Sequence, residues 1–227
     1  MPTFSLIIPA HNEEQYISDT LLSIKQQSFA DHETIVVTNG CTDKTENLVK
    51  QQPWVKHFNS VKPHVSRARN YGAGKAKGDI LVFLDADTLL PKNALQTIHN
   101  QFTKKFSVAT TKVTPDISKN KYKFAMWFKN FYNSTGFYKG CSGVLICRKK
   151  DFDLVNGYNP EIIVKEHKEL TNKLLSHGKY QCVNTKAVTS MRRFEKWGLT
   201  KATTFWIKQW GKNLVSNVKD TDYERIR

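Results

Sequence analysis

Gly78-Asp79-Ile80-Leu81-Val82-Phe83-Leu84-Asp85-Ala86-Asp87 is the stretch on which the reading of this chain turns. Ile80 to Leu84 make a short apolar run, the pattern of a buried strand, and two carboxylates stand where that strand ends. In an extended segment residues two apart project to one face, so Asp85 and Asp87 can reach one ion as the chain leaves the strand. Hard carboxylate oxygens suit Mg²⁺ or Mn²⁺, and Mg²⁺ is commonly held by one or two carboxylates plus substrate phosphates. Asp-x-Asp is also the composition of a solvated turn, so its surroundings decide its meaning.

Upstream, strand-like and helix-like patterns alternate. Residues 4–9, 33–38 and 54–58 read as strands. Asn12-x-x-Gln15 and Asp43-x-x-Glu46 read as capped helix starts, the second helix running to about Gln51. A segment rich in Arg and Ala opens at Ser66 and ends at Gly78, the residue type that terminates helices in a left-handed conformation. A further helix is expected from near Pro91 to about Phe102. This alternation predicts an α/β fold, a mostly parallel central sheet flanked by crossover helices.

Open parallel sheets bind ligands beyond the carboxyl ends of their strands. Three polar clusters fall at such ends: Ala10-His11-Asn12-Glu13, Thr38-Asn39-Gly40-Cys41 and Asp85-Ala86-Asp87. No G-x-G-x-x-G and no G-x-x-x-x-G-K-[ST] accompanies the strands, so neither a dinucleotide fingerprint nor a phosphate-cradling loop is present. A cation would neutralise bound phosphates instead.

The second half is less regular. Residues 106–113 and 143–147 read as strands, and 166–176 as a helix closed by Gly178. Residues 119–139 interleave five lysines with eight aromatic residues, and Phe124, Trp127, Phe128 and Phe131 fall on one helical face. Leu199, Thr203, Trp206 and Trp210 mark a stripe of a terminal helix, and 219–227 read as a frayed tail. Core packing on the sheet and contact with a bilayer interface both explain the aromatic faces.

The 35 Lys and Arg exceed the 20 Asp and Glu by 15, a field that attracts nucleic acid, an anionic membrane surface or a phosphorylated substrate. No run of eighteen apolar residues occurs, and Met1-Pro2-Thr3-Phe4 lacks a charged region followed by an apolar one, so neither a spanning helix nor a cleaved signal is expected. Cys41, Cys141, Cys147 and Cys182 show no metal-ligand spacing and read as free thiols in a reducing, cytoplasmic setting.

The chain resembles the family 2 glycosyltransferases of the GT-A fold. The resemblance is carried by Leu6-Ile7-Ile8-Pro9-Ala10-His11-Asn12-Glu13-Glu14, by Val36-Val37-Thr38-Asn39-Gly40-Cys41-Thr42-Asp43-Lys44-Thr45, and by Ala68-Arg69-Asn70-Tyr71-Gly72-Ala73. Gly78 to Asp87 completes the set, and Gly140-x-Ser142-Gly143 with Gly157-Tyr158-Asn159 extends it. It implies a Rossmann-like, mostly parallel sheet with a more irregular acceptor-side C-terminal half. Residues 1–218 would be one glycosyltransferase domain, with 1–113 binding the nucleotide sugar and 114–218 the acceptor.

The resemblance also implies the site. Pro9, Ala10, His11, Glu13, Thr38 and Asn39 would frame the base and ribose with Asp85 beside them, Arg69 assisting, and Asp87 on a divalent cation, Mn²⁺ or Mg²⁺. Two departures stand out. In Lys165-Glu166-His167-Lys168-Glu169-Leu170, His167 occupies the position where the family carries the Asp that acts as base. A neutral imidazole can accept a proton near pH 7, which makes His167 the first candidate base and Glu166 the second; an acceptor phosphate would need neither. Thr38 stands where an acidic residue commonly reads the base.

The expected function is metal-dependent, inverting transfer of a sugar from a nucleotide diphosphate to a glycan or lipid-linked acceptor, with peripheral association at an anionic membrane. The competing readings are a basic single-stranded nucleic-acid binder, which leaves the strand-end clusters without purpose, and a degenerate transferase that binds donor without turnover.

Overall fold

The computed structural model describes residues 1–60, 63–141, 143–162, 165–198 and Thr204. The expected terminal helix stripe, the frayed tail and Ser142 lie outside the described residues. The first half alternates as expected: β1 (Phe4–Ala10), α1 (Ile17–Lys25), β2 (His32–Asn39), α2 (Thr45–Lys50), β3 (Lys56–Ser60), α3 (Val65–Lys75), β4 (Ile80–Leu84), β5 (Thr88–Leu89) and α4 (Ala94–Gln101). Then follow β6 (Phe106–Pro115), α5 (Asn120–Thr135), β7 (Val144–Arg148), α6 (Lys149–Leu154), α7 (Glu166–Leu174), β8 (Lys179–Thr189) and α8 (Arg192–Trp197).

The strands form one mixed sheet in the order β3-β2-β1-β4-β7-β6-β8-β5. The four strands from β3 to β4 are mutually parallel, β7 runs antiparallel to both β4 and β6, and β8 returns parallel to β6. Period-two alternation divides the core between the two faces. Leu6, Ile8, Val82, Leu84, Val144 and Ile146 pack with α1 and α4 through Leu21, Ile24, Leu95 and Ile98. Ile7, Leu81, Phe83, Leu145 and Cys147 face the other way, against Ala68 and Ala73 of α3, Phe152 of α6, and Leu170 and Leu174 of α7.

Gly72 lets α3 seat on β1, because a Cβ there would stand 2.6 Å from Ile7 Cγ2. Gly78 has a similar role and not the expected one. It does not close α3 in a left-handed conformation; α3 ends at the extended residue Ala76, and a Cβ at Gly78 would meet the Phe4 backbone at 2.7 Å. Gly178 likewise closes no helix, since α7 is followed by the right-handed Leu175, and Gly178 instead sits against the backbone of Ser107.

Neither expected capping box forms. Asn12 has φ 54 and spends its amide on the neighbouring loop, its Oδ1 accepting from Thr42 N at 2.8 Å, so α1 begins only after Tyr16. Asp43 Oδ1 accepts from Thr45 N at 2.9 Å, while Glu46, its expected reciprocal partner, pairs with Lys50. The two loops are tied to each other instead, with Glu13 N donating to Thr45 Oγ1 at 2.7 Å. Strand β8 escaped the sequence reading because Lys179–Thr189 shows no apolar run, yet it forms a long parallel ladder with β6.

Glu33 is the clamp on the edge of the sheet opposite the strand ends. Its carboxylate accepts from Ser5 Oγ at 2.6 Å, Lys56 Nζ at 2.5 Å, Lys77 N at 2.6 Å and Gly78 N at 3.2 Å, joining β1, β2, β3 and the turn into β4. Burial opposes ionisation, but these donors outweigh it and hold the carboxyl below its ordinary value of 4.5. A depressed folded pKa contributes stability that is complete above 4.5 and lost as pH falls through the folded value. Glu33→Ala is expected to lower the unfolding free energy at neutral pH by about 2–3 kcal/mol and to flatten the acid limb, read by denaturant titration at a series of pH values. An unchanged acid limb would refute the role.

Candidate functional site

Because β1, β2 and β4 are parallel neighbours, Ala10, Asn39 and Leu84 end at one edge of the sheet, and the three polar clusters meet there. Asn39 knits two of them: its Nδ2 donates to Ala10 O at 3.0 Å, and its carbonyl lies 2.7 Å from His11 Nδ1. Its Oδ1 also accepts from His64 N at 3.1 Å, anchoring the start of α3. Pro9 and Ala10 are buried and offer only backbone.

Thr38 is turned out of this edge. It is fully buried, its Oγ1 stands 2.8 Å from His57 Nε2, and it donates to Phe58 O at 3.3 Å, so its hydroxyl is engaged with β3.

Arg69, on the inner face of α3, joins two carboxylates that lie far apart in the chain. Its Nη2 donates to Asp85 Oδ1 at 2.8 Å and its Nη1 to Glu166 Oε1 at 2.8 Å, with the side chain only 3% exposed. Burial works against its charge, but Tyr158, Asp85 and Glu166 outweigh that and raise its pKa. The guanidinium stacks over the Tyr158 ring, 5.3 Å from the centroid.

His167 also meets Tyr158, the ring centroids 5.6 Å apart and the planes at 67°. Its Nδ1 is 2.9 Å from Tyr158 Oη, and its Nε2 is buried with no hydrogen-bond partner among the described residues. Burial, reinforced by the Arg69 charge, drives its pKa well below 6.5, so the imidazole is neutral and a weak base. Of the two candidate bases, Glu166 is the one tied to Asp85 through a shared partner.

Arg192 opens α8. It follows β8 and reaches back across the sheet edge, donating to Glu13 Oε2 at 2.6 Å and Oε1 at 2.8 Å and pairing with Asp87 Oδ2 at 3.0 Å. Its guanidinium also lies 4.7 Å from the centroid of Tyr16. Burial raises the pKa of Glu13, against the pull of Arg192. Asp87 is pushed up to about 7, by burial first; Arg192 opposes this, and Asp85 and Glu13 add to it.

The residues fit a divalent cation bound with substrate. Four carboxylates, Glu13, Asp85, Asp87 and Glu166, are paired with two guanidiniums, and burial, helped by Asp85 and Glu13, raises the Asp87 pKa. The donor set at Asp85 and Asp87 is hard oxygen. Among the described residues no cluster of three or more His, Cys, Asp or Glu could cage an ion.

A family model described as "Glycosyl transferase family 2" matches residues 5–150. Over 104 residues the chain is 33% identical to the GalNAc(5)-diNAcBac-PP-undecaprenol beta-1,3-glucosyltransferase of Campylobacter jejuni, a match covering 43% of this chain and 34% of that protein. The chain spans less than half the length of the curated relatives it matches. Among solved structures, the mannosyltransferase PcManGT from Pyrobaculum calidifontis in complex with GDP-Man and Mn2+ superposes with TM-score 0.73 at 16% identity, over 95% of this chain and 65% of that one. Staphylococcus aureus TarS 1-349 in complex with UDP-GlcNAc does so with TM-score 0.70 at 19% identity, over 85% and 59%. These likenesses agree with the GT-A arrangement expected from the sequence.

Proposed function

The chain belongs to glycosyl transferase family 2, and from that premise we propose that it moves a sugar from a nucleotide diphosphate to an acceptor, with inversion and with a divalent cation. The observation that carries this reading is the convergence of Glu13, Asp85, Asp87 and Glu166 on Arg69 and Arg192 at the carboxyl end of the parallel strands. In this reading residues 1–113 would bind the donor and 114–218 the acceptor, residues 199–203 and 205–218 lying outside the described ones.

Pro9, Ala10, His11 and Asn39 line the end of β1 and β2 where the nucleoside would lie, with Glu13 and Asp85 at its edge. Thr38 supports this wall from behind through His57. When bound, a cation on Asp87 and Asp85 would offset the charge that builds on the departing diphosphate. Arg192 holds Glu13 and Asp87 in place, and Arg69 holds Asp85 and Glu166. Glu166 takes the proton from the acceptor hydroxyl as that oxygen attacks the anomeric carbon on the face opposite the leaving group. His167 braces Tyr158 beneath Arg69.

A lipid-linked acceptor is part of the proposal. It is supported by the name of the Campylobacter jejuni relative, whose acceptor is carried on undecaprenol diphosphate, and the donor and metal by the GDP-Man, UDP-GlcNAc and Mn2+ in the titles of the solved neighbours.

Donor binding gives the test. A nucleotide sugar at about a hundredfold over its Kd stabilises the folded state by about 2.7 kcal/mol, so with Mn²⁺ the correct donor is expected to raise Tm by about 5–10 °C. Asp87→Asn is expected to lose the part of that shift that requires Mn²⁺ and to keep the rest. Failure of every nucleoside diphosphate sugar to move Tm would end the reading. A shift with no release of nucleoside diphosphate in the presence of acceptor would favour binding without turnover.

A further inference from the structure

Helix α5 is packed the opposite way round from its apolar pattern. Its buried residues are Tyr122, Met126 and Asn133, and Asn130 brackets Val113, donating from Nδ2 to the Val113 carbonyl at 2.7 Å and accepting the Val113 N–H at 2.8 Å. The aromatic stripe points outward: Phe124 is 67% exposed, Trp127 60%, Phe128 51% and Phe131 56%, and beyond the left-handed Gly136 that ends the helix Phe137 is 86% exposed. The rings form a continuous row, Phe124 on Trp127 at 5.8 Å and Trp127 on Phe131 at 6.2 Å. Soluble surfaces rarely carry so large a contiguous apolar patch without a partner.

Charge identifies the partner's chemistry. Residues 117–150 contain no Asp or Glu, and Lys121 and Lys123 flank the aromatic row on its two sides by helical angle. Rings in a row with cations at the margins suit the headgroup region of an anionic bilayer, where aromatic side chains settle and lysines meet phosphate. A second copy of the chain would set like charges against each other across the same face. The patch also has a fixed relation to the cleft. Tyr122 and Met126 pack on Met191, the residue before Arg192.

We infer that the outer face of α5, Phe124, Trp127, Phe128 and Phe131 with Lys121 and Lys123, docks on an anionic membrane and holds the cleft at the surface where a lipid-linked acceptor presents its headgroup. The inference deepens the acceptor reading above and rests on it.

The test uses the full chain with phosphatidylcholine vesicles made with and without phosphatidylglycerol. Sedimentation with the anionic vesicles, a blue shift of tryptophan fluorescence on binding, and weakening by salt are expected. The Phe124→Ser/Trp127→Ser/Phe131→Ser variant should lose about tenfold or more in partitioning. It should also keep the wild-type Tm and the donor-induced Tm shift, because each of these side chains is more than half exposed. A lower Tm would show that the stripe is core. No binding to anionic vesicles, or binding only to single-stranded DNA, or a wild-type dimer that the substitutions convert to a monomer, would each overturn the inference. Vesicle binding with no response to any nucleotide sugar would leave the membrane face standing and remove the transferase reading instead.

Discussion

Glu166→Gln is expected to lower the rate of sugar transfer by about 10²–10⁴-fold while leaving the donor-induced Tm shift close to wild type, because it removes the base while Asp85 remains as a counter-charge to Arg69. A glutamine keeps the size of the side chain and an oxygen that can still accept from Arg69 Nη1, now 2.8 Å from Glu166 Oε1. His167→Gln is the paired measurement and should cost far less. Its ring is turned to Tyr158, its free nitrogen is buried, and its basicity is depressed by burial and by Arg69. Single-turnover rates with saturating donor separate the outcomes. A large loss at His167 with a small one at Glu166 would make the imidazole the base. Full activity in both variants would mean that the acceptor supplies its own anionic nucleophile.

Arg69→Ala carries the second large effect, and it falls on stability. Removing one partner of a buried ionic group leaves uncompensated charge, typically at a cost of about 3–5 kcal/mol. Here the guanidinium is almost wholly enclosed and serves two carboxylates, one from β4's end and one from α7, while stacking on Tyr158. Arg69→Lys should recover only part of the loss, since an ammonium supplies charge without the planar fork that reaches Asp85 and Glu166 together. Denaturant midpoints measure both, and a loss below about 1 kcal/mol in the alanine variant would contradict the bridging role. Donor binding should fall with it, because Asp85 loses the contact that orients it.

Local pattern was enough for the donor half. The run Ile80 to Leu84 followed by Asp85 and Asp87, and the apolar runs of β1 and β2, are signals carried by neighbouring residues, and strand ends follow once the strands are parallel. Glu166, a candidate base from the sequence, stands 2.8 Å from Arg69 Nη1. What local pattern could not show is where distant segments return. Arg192 meets Glu13 across 179 positions, and nothing near either residue encodes that approach. The same holds for Thr38, whose hydroxyl is engaged by His57 and Phe58 of β3.

By itself, the amino-acid sequence determined the alternating strands and helices, the three polar clusters at their ends and the carboxylate pair, because side-chain period and turn chemistry act over a few residues. Only the tertiary structure decided that two arginines pair with four carboxylates at the strand ends, that His167 turns to Tyr158, and that α5 shows its aromatic side to solvent. A helical period says which residues share a face. Which face turns inward depends on the surface offered to it, here Val113 and Met191, and that surface exists only after β6 and β8 have come together.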